Sequence, residues 1–280
     1  MILPELPEVE TVKEVLKPKL VTLEIKDVHV YYDKMIKTSD VADFKAKMRG
    51  QKFVDINRRG KYLIFELNDY HLLSHLRMEG KFFYEEEKTA PAKHIHAEFL
   101  LCNGNWLRYE DVRKFGTFHL YEKNVPLEST PSFSVLGPEP WAEEFNVDAV
   151  LLAMKWKKTP IKSMLLSQKV VAGLGNIYVD EVLFAANIHP LTKSGDLTRE
   201  EVEKVVHYTK EILSKATQHK GTTIRTFSQQ HGATGEFQNF LQVHTKKDEP
   251  CPVCSTQISK IKVGGRGTYF CGSCQLEVGD

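Results

Sequence analysis

CPVCSTQISKIKVGGRGTYFCGSC, residues 251–274, places one C-x2-C pair at each end of a short spacer. Such a pair aims two thiolates at one point, and two pairs complete the tetrahedron that zinc prefers. Cys251, Cys254, Cys271 and Cys274 are therefore the expected ligands of a single zinc ion. Four sulfurs close the coordination shell, so the ion is expected to be structural, folding the tip without doing chemistry. No catalytic cofactor is expected. The spacer carries Lys260, Lys262 and the run Gly264-Gly265-Arg266-Gly267. An arginine between glycines at a hairpin tip suits close approach to a phosphate or a groove, although the same residues also make an ordinary exposed turn.

Upstream of this tip, residues 221–237 are rich in Gly, Thr, Ser and Gln and read as a mobile loop. Before the loop the signals are helical. Asn146 caps a helix reaching about Lys157, residues 161–166 form a second, and residues 176–186 a third. Thr198 and Glu201 make a capping box for a long fourth helix through Val202, Val205, Ile212 and Leu213. Gly173-Leu174-Gly175 precedes the third helix; glycines there let an anion approach the free N–H groups, while a plain loop with Asn176 as cap is the competing reading.

The N-terminal half reads differently. Residues 7–17 form a helix with proline in its first turn and Pro18 as its stop. Residues 21–31 alternate like a half-buried strand, and Asp40 caps a short helix ending before Gly50. Strand signals then dominate to about residue 122, with Asn103-Gly104 as a hairpin turn. The proline-rich stretch that follows loses all periodicity and reads as a linker. The expected class is α+β, with an N-terminal β-sandwich and leading helix over 1–125 and a linker at 126–144. A helical module over 145–237 and a zinc finger over 238–280 complete it.

The bulk numbers set limits on this picture. A length of 280 residues allows two cores, and a net charge of +1 neither suggests nor excludes a nucleic-acid partner. Basic residues nevertheless cluster, as at Arg58, Arg59 and Lys61, and at Lys155, Lys157, Lys158 and Lys162; each cluster alone reads as solvated surface. The fifth cysteine, Cys102, reads as a small buried hydrophobe in a strand. No apolar run is long enough to span a bilayer, and the first residues lack a signal-peptide layout, so the expected address is cytoplasmic.

The most unusual stretch is Pro4-Glu5-Leu6-Pro7-Glu8-Val9-Glu10-Thr11. A proline with a free secondary amine is a strong nucleophile toward the anomeric carbon of a sugar and collapses readily to an iminium. Glu5 is placed to move protons beside it. An ordinary helix-entry sequence would look the same. The combination is more specific: this stretch, Arg58-Arg59-Gly60-Lys61, His75-Leu76-Arg77-Met78-Glu79-Gly80, Asp111-Val112-Arg113-Lys114-Phe115-Gly116, the GLGNIYVDE run from 173 to 181, and the four cysteines. In that order, over essentially the whole chain, they resemble the formamidopyrimidine-DNA glycosylase family.

The resemblance implies a helix–two-turn–helix module in the second half and a base-excision enzyme for oxidised purines, chiefly 8-oxoguanine, in duplex DNA opposite cytosine. By motif match Pro4 is the nucleophile, Glu5 the acid/base, and Lys61 a contact to the lesion or its phosphate. Asn176 and Arg266 grip phosphates, and Glu181 supports the active site. Met78, Arg113 and Phe115 fill the void left by the rotated nucleotide; His94 is a further DNA contact, and Thr222 and Arg225 belong to a loop that caps the lesion. A monomer is expected, associated with the nucleoid when on DNA. An endonuclease VIII-like enzyme for oxidised pyrimidines is the nearest rival. Met1-Ile2-Leu3 precede Pro4, and while they remain its nitrogen is a tertiary amide without a usable lone pair. A start at Leu3 from a TTG codon, followed by removal of the initiator, would expose the amine, as would trimming. If the three residues stay, the expectation is a damaged-DNA binder without catalysis.

Overall fold

The computed structural model describes residues 4–86, 90–222 and 235–276. The chain divides into two compact units: of the described residues, those up to Ser134 and Gly235 belong to the first, and Val135–Thr222 and those from Glu236 onward to the second.

The first unit opens with α1 (Leu6–Leu20), which buries Leu6, Val9, Val12, Leu16 and Leu20 along one stripe. The helix passes through Pro18 instead of stopping there. Proline costs one intrahelical bond, but so near the C-terminus the burial of Leu16 and Leu20, both 0% exposed, carries the helix another turn. β1 (Ile25–Val30) follows, shorter than the alternating stretch suggested, and then α2 (Val41–Met48), where Asp40 accepts from the Asp43 N–H as a cap should. The remaining strands are β2 (Asp55–Arg59), β3 (Tyr62–Glu66), β4 (Tyr70–His75), β5 (Lys81–Glu85), β6 (Ile95–Leu101), β7 (Trp106–Glu110) and β8 (Thr117–Glu122). They make two four-stranded antiparallel sheets, ordered β1-β6-β7-β5 and β2-β3-β4-β8.

Apolar residues of both sheets and of α1 form one core, in which the rings of Phe82 and Phe118 stack. The chain crosses from one sheet to the other three times, between β1 and β2, between β4 and β5, and between β7 and β8. Cys102 departs from expectation: β6 ends at Leu101, and the thiol lies exposed in the hairpin turn. Phe133, in the proline-rich stretch, is buried against the ring of Tyr62.

The second unit contains α3 (Val147–Met154), α4 (Ile161–Leu166), α5 (Asn176–Ala185) and α6 (Arg199–Gln218). Asn146 caps α3 through the Ala149 N–H, and the Thr198–Glu201 capping box opens α6. α3 ends some residues earlier than expected, where Trp156 turns to φ +62°. Between α4 and α5 the chain makes two turns held by one side chain. Gln168 accepts from the Gly173 N–H at 2.8 Å and donates to the Leu174 carbonyl at 2.5 Å. Gly173 sits at φ +97°, which explains the glycine. The hairpin β9 (Ser259–Val263) and β10 (Arg266–Phe270) closes the unit, turning through Gly264 and Gly265, both at positive φ.

The architecture is thus α+β, with a β-sheet unit, a helical two-turn module and a four-cysteine tip. Among the described residues no helix is long and apolar enough to cross a membrane.

Candidate functional site

In the first unit, Pro4 and Glu5 stand immediately before α1, and both are buried. Glu5 is the helix cap residue, 0% exposed, and its N–H donates to the Glu8 carboxylate at 2.9 Å. The first turn of a helix favours negative charge, so a carboxylate here sits where the helix dipole supports it. α1 is pinned to the sheet by Glu10, whose carboxylate accepts from Arg58 Nε at 2.7 Å and is also paired with Lys13. Burial opposes ionisation of Glu10, but Lys13 and Arg58 outweigh it and hold its carboxyl below the usual range.

Lys61 lies in the two-residue turn between β2 and β3, after Gly60 at φ +56°, and not within a strand as the sequence suggested. It is half-buried.

Met78 occupies the β4–β5 crossing between the sheets, and Arg113 and Phe115 the β7–β8 crossing. Met78 is half-buried and Arg113 exposed, its guanidinium 4.9 Å from the ring centre of Phe115. Phe115 is 50% exposed, whereas an isolated phenylalanine is usually core. The β7–β8 crossing is held from inside by Asp111, itself 0% exposed. Its carboxylate accepts from the N–H groups of Arg113 at 2.9 Å, Phe115 at 2.9 Å and Gly116 at 2.8 Å. Its own N–H donates to the His94 carbonyl at 3.0 Å, and its carbonyl meets His96 Nε2 at 2.8 Å. The backbone of this connection is therefore fixed while its large side chains reach solvent.

In the second unit, Gly175 caps α5 and Asn176 is its first helical residue, so the asparagine is not the ordinary cap. Its amide instead donates to the Gly267 carbonyl at 2.9 Å, next to the exposed Arg266 that begins β10. The two residues are thereby brought together from opposite ends of the unit. Lys162 donates to the same carbonyl at 3.2 Å and to Asp180 Oδ1 at 2.6 Å. The sequence placed Lys162 in a solvated basic cluster; it is 0% exposed and ion-paired. Asp180 Oδ2 also meets His244 Nδ1 at 2.8 Å and accepts from the Tyr269 N–H at 3.2 Å. Glu181 is buried as well, and accepts the N–H groups of Gln242, Val243 and His244 at 2.8, 3.0 and 2.8 Å. Burial pushes its carboxyl up, against the opposing pull of those three donors. Thr222 is buried at the end of a described segment, and Arg225 lies outside the described residues.

Sequence reasoning missed Asp111 and the Lys162–Asp180–His244 chain. A signal for the second was present: Asp180-Glu181 sits inside an otherwise apolar helix, and buried carboxylates need partners.

The four cysteine sulfurs lie within 4.8 Å of one another, with Cys254–Cys271 at 3.4 Å and Cys251–Cys274 at 3.9 Å. A tetrahedron with Zn–S bonds of about 2.3 Å has sulfurs about 3.8 Å apart, so the cluster suits a structural zinc ion. Among the described residues no other group of ligating side chains has this closeness.

A β-sandwich led by a buried proline–glutamate start, a two-turn helical module and a four-cysteine hairpin define a class of multi-part protein, and the comparisons specify which. Residues 3–118 match the formamidopyrimidine-DNA glycosylase N-terminal domain, residues 136–228 the H2TH domain of the same proteins, and residues 248–276 the zinc finger found in FPG and IleRS. The chain is 44% identical to the formamidopyrimidine-DNA glycosylase of Bacillus cereus over 99% of its length and 100% of that protein. It is 46% identical to that of Streptococcus mutans over 98% of its length and 100% of that protein. The structure of a Lactococcus lactis FPG mutant with a Fapy-dG containing DNA is similar at a TM-score of 0.92 and 41% identity, covering 98% of this chain and 100% of that one. A complex of Lactococcus lactis Fpg with abasic-site DNA gives 0.91 and 41%, with the same coverage. The chain belongs to the formamidopyrimidine-DNA glycosylase family.

Proposed function

We infer that this chain is a base-excision-repair glycosylase and AP lyase acting on oxidised purines in DNA. The observation that carries the chemical reading is the proline followed by a wholly buried carboxylate at the head of α1. In this reading the Pro4 amine attacks C1′ of the damaged nucleotide as the bond to the base breaks, and Glu5 delivers the proton the departing base requires. Loss of the N–H proton and opening of the sugar ring, with a proton delivered to its oxygen, leave an iminium. Removal of a C2′ proton then expels the 3′ phosphate, and a second elimination expels the 5′ phosphate. The strand keeps a one-nucleoside gap with phosphate at each end. When bound, zinc supplies folding of the tip and takes no part in these steps.

The remaining residues have roles in holding DNA. Asn176 and Arg266 contact phosphates, supported by their common neighbour Gly267. Lys61 lies in a turn from which it reaches the lesion or its phosphate, and His94 adds a contact. Rotating the base out costs roughly a few kcal/mol, and Met78, Arg113 and Phe115 fill the space, with Arg113 facing the orphaned cytosine. Thr222 and Arg225 cover the lesion. Glu181 supports the site at one remove, by fixing the 242–244 segment. The substrate is duplex DNA with the lesion opposite cytosine, and the protein acts as a monomer in the cytoplasm.

The test is borohydride trapping on a duplex carrying 8-oxoguanine opposite cytosine, with mass spectrometry of the adduct. An adduct on an N-terminal Pro4 is the expected result. Binding without an adduct, from protein shown to retain Met1, would identify a lesion binder without chemistry. Excision of an oxidised thymine in preference to 8-oxoguanine would support the pyrimidine-specific alternative.

A further inference from the structure

The two connections that carry Met78 and Arg113–Phe115 converge on one buried side chain that has no assigned role. Tyr109 on β7 is 1% exposed. Its ring lies 5.1 Å from Phe82 of one sheet and 5.0 Å from Phe118 of the other. Those two rings stand two residues after Gly80 and Gly116, which end the first and second connections. The phenol oxygen reaches both glycines. A methyl group on Gly116 would overlap that oxygen and come within 2.8 Å of the ring carbon Cζ. A methyl group on Gly80 would also overlap it, with Cζ at 3.0 Å and the Leu76 carbonyl oxygen at 2.6 Å. Neither glycine lies in the left-handed region, so backbone conformation does not demand glycine at either place. Space against Tyr109 does.

The hydroxyl is buried beside the Asp111 carboxylate, in poor hydrogen-bonding geometry. Phenylalanine would fill the ring site without leaving that group unsatisfied. The oxygen stands between the two connections and beside Asp111, whose carboxylate ties Arg113, Phe115 and Gly116. Burial, and then the charge and hydrogen-bonding pull of Asp111, push the phenol well above its ordinary range, so it stays protonated and adds no charge.

We propose that Tyr109 is a positioning residue for strand insertion: its ring and hydroxyl hold the Met78 turn and the Arg113–Phe115 connection against one post, so that the three side chains enter the duplex as a unit. The proposal rests on the void-filling reading of those three residues given above. It differs from a simple packing role because it requires the two connections to be coupled through a single atom.

The test uses the full-length protein and a duplex holding a tetrahydrofuran abasic analogue with 2-aminopurine as its neighbour. 2-Aminopurine brightens when unstacked, so it reports insertion without requiring any catalysis. Wild type is expected to bind and brighten the probe. Gly116→Ala, checked by thermal melting, is expected to bind with little loss. The brightening should fall, and turnover of 8-oxoguanine in duplex DNA should drop about tenfold or more in kcat with KM nearly unchanged. Adding Tyr109→Phe removes the overlapping oxygen and leaves the alanine methyl in the slot it filled, and is expected to restore most of both signals. If Gly116→Ala does not fold, Tyr109→Phe alone carries the test, because emptying the slot should uncouple the connections and dim the probe. A Gly116→Ala protein as bright as wild type, or one that Tyr109→Phe does not restore, overturns the proposal; so does an unchanged Tyr109→Phe protein where that variant carries the test. A wild type that neither binds nor brightens this duplex overturns the lesion-DNA reading beneath it.

Discussion

Phe115 combines a backbone N–H anchored on Asp111 with a ring half in solvent. A ring that served packing would be expected inside, so its loss separates the two roles. Phe115→Ala should change stability by no more than about 0.5 kcal/mol, as surface truncations do. On the void-filling role proposed for it, single-turnover release of 8-oxoguanine should nevertheless fall about tenfold or more, because the gap beside the rotated nucleotide is left open. A urea melt and a quenched time course read the two effects independently. Asp111→Ala should behave in the opposite sense. Three N–H groups lose their acceptor together, and a cost of about 2–4 kcal/mol is expected in the same melt. The sequence displayed Arg113 and Phe115 through their motif but not the role of Asp111, because an acceptor for its own loop leaves no periodic trace. Lys162 shows the same limit: a lysine is read as surface until the carboxylate that buries with it is known.

At the scale of elements, α1 was legible in its start and not in its end. Proline in the first turn and the apolar stripe are local signals, whereas the extension past Pro18 depends on what Leu20 packs against. The two sheets were legible as strands, but their order was not, because pairing β1 with β6 depends on contacts far apart in sequence. The link between α1 and the sheet through Glu10, Lys13 and Arg58 gives a pH prediction. The folded carboxyl of Glu10 lies below its unfolded value of 4.5. Its contribution to stability is thus complete above pH 4.5 and is lost as pH falls through the lower folded value. Glu10→Gln should therefore destabilise the protein by about 1–2 kcal/mol at neutral pH, a figure reduced from that of a buried pair because Glu10 is part-exposed. In melts recorded at successively lower pH the two proteins should converge. A constant difference down to the acid limb would show that Glu10 acts through packing and not through charge.

Taken as a whole molecule, the chain joins two units with different sources of stability. The first has the large core between its two sheets, including α1. At the tip of the second, the cluster around the cysteines is small: Phe184, Val243, Cys251, Ile258 and Cys271 are its buried members. A cluster of that size does not hold a hairpin by itself, so binding of zinc must supply a large part of its folding free energy. The tip is also wired inward, through Gly267 to Lys162 and Asn176 and through Tyr269 to Asp180. Loss of the metal should consequently reach α5 and the Asn176–Gly267 hydrogen bond, yet leave the two four-stranded sheets intact. Calorimetry of the zinc-loaded protein and of the same protein after chelation tests this. The expected result is one transition that moves to lower temperature, or disappears, on chelation, and a second that stays in place with the tryptophan-containing β7 still folded. Cys254→Ser should reproduce the chelated trace without chelator. Both transitions moving together would mean that the two units unfold as one, and that the metal stabilises the first unit as well as the tip.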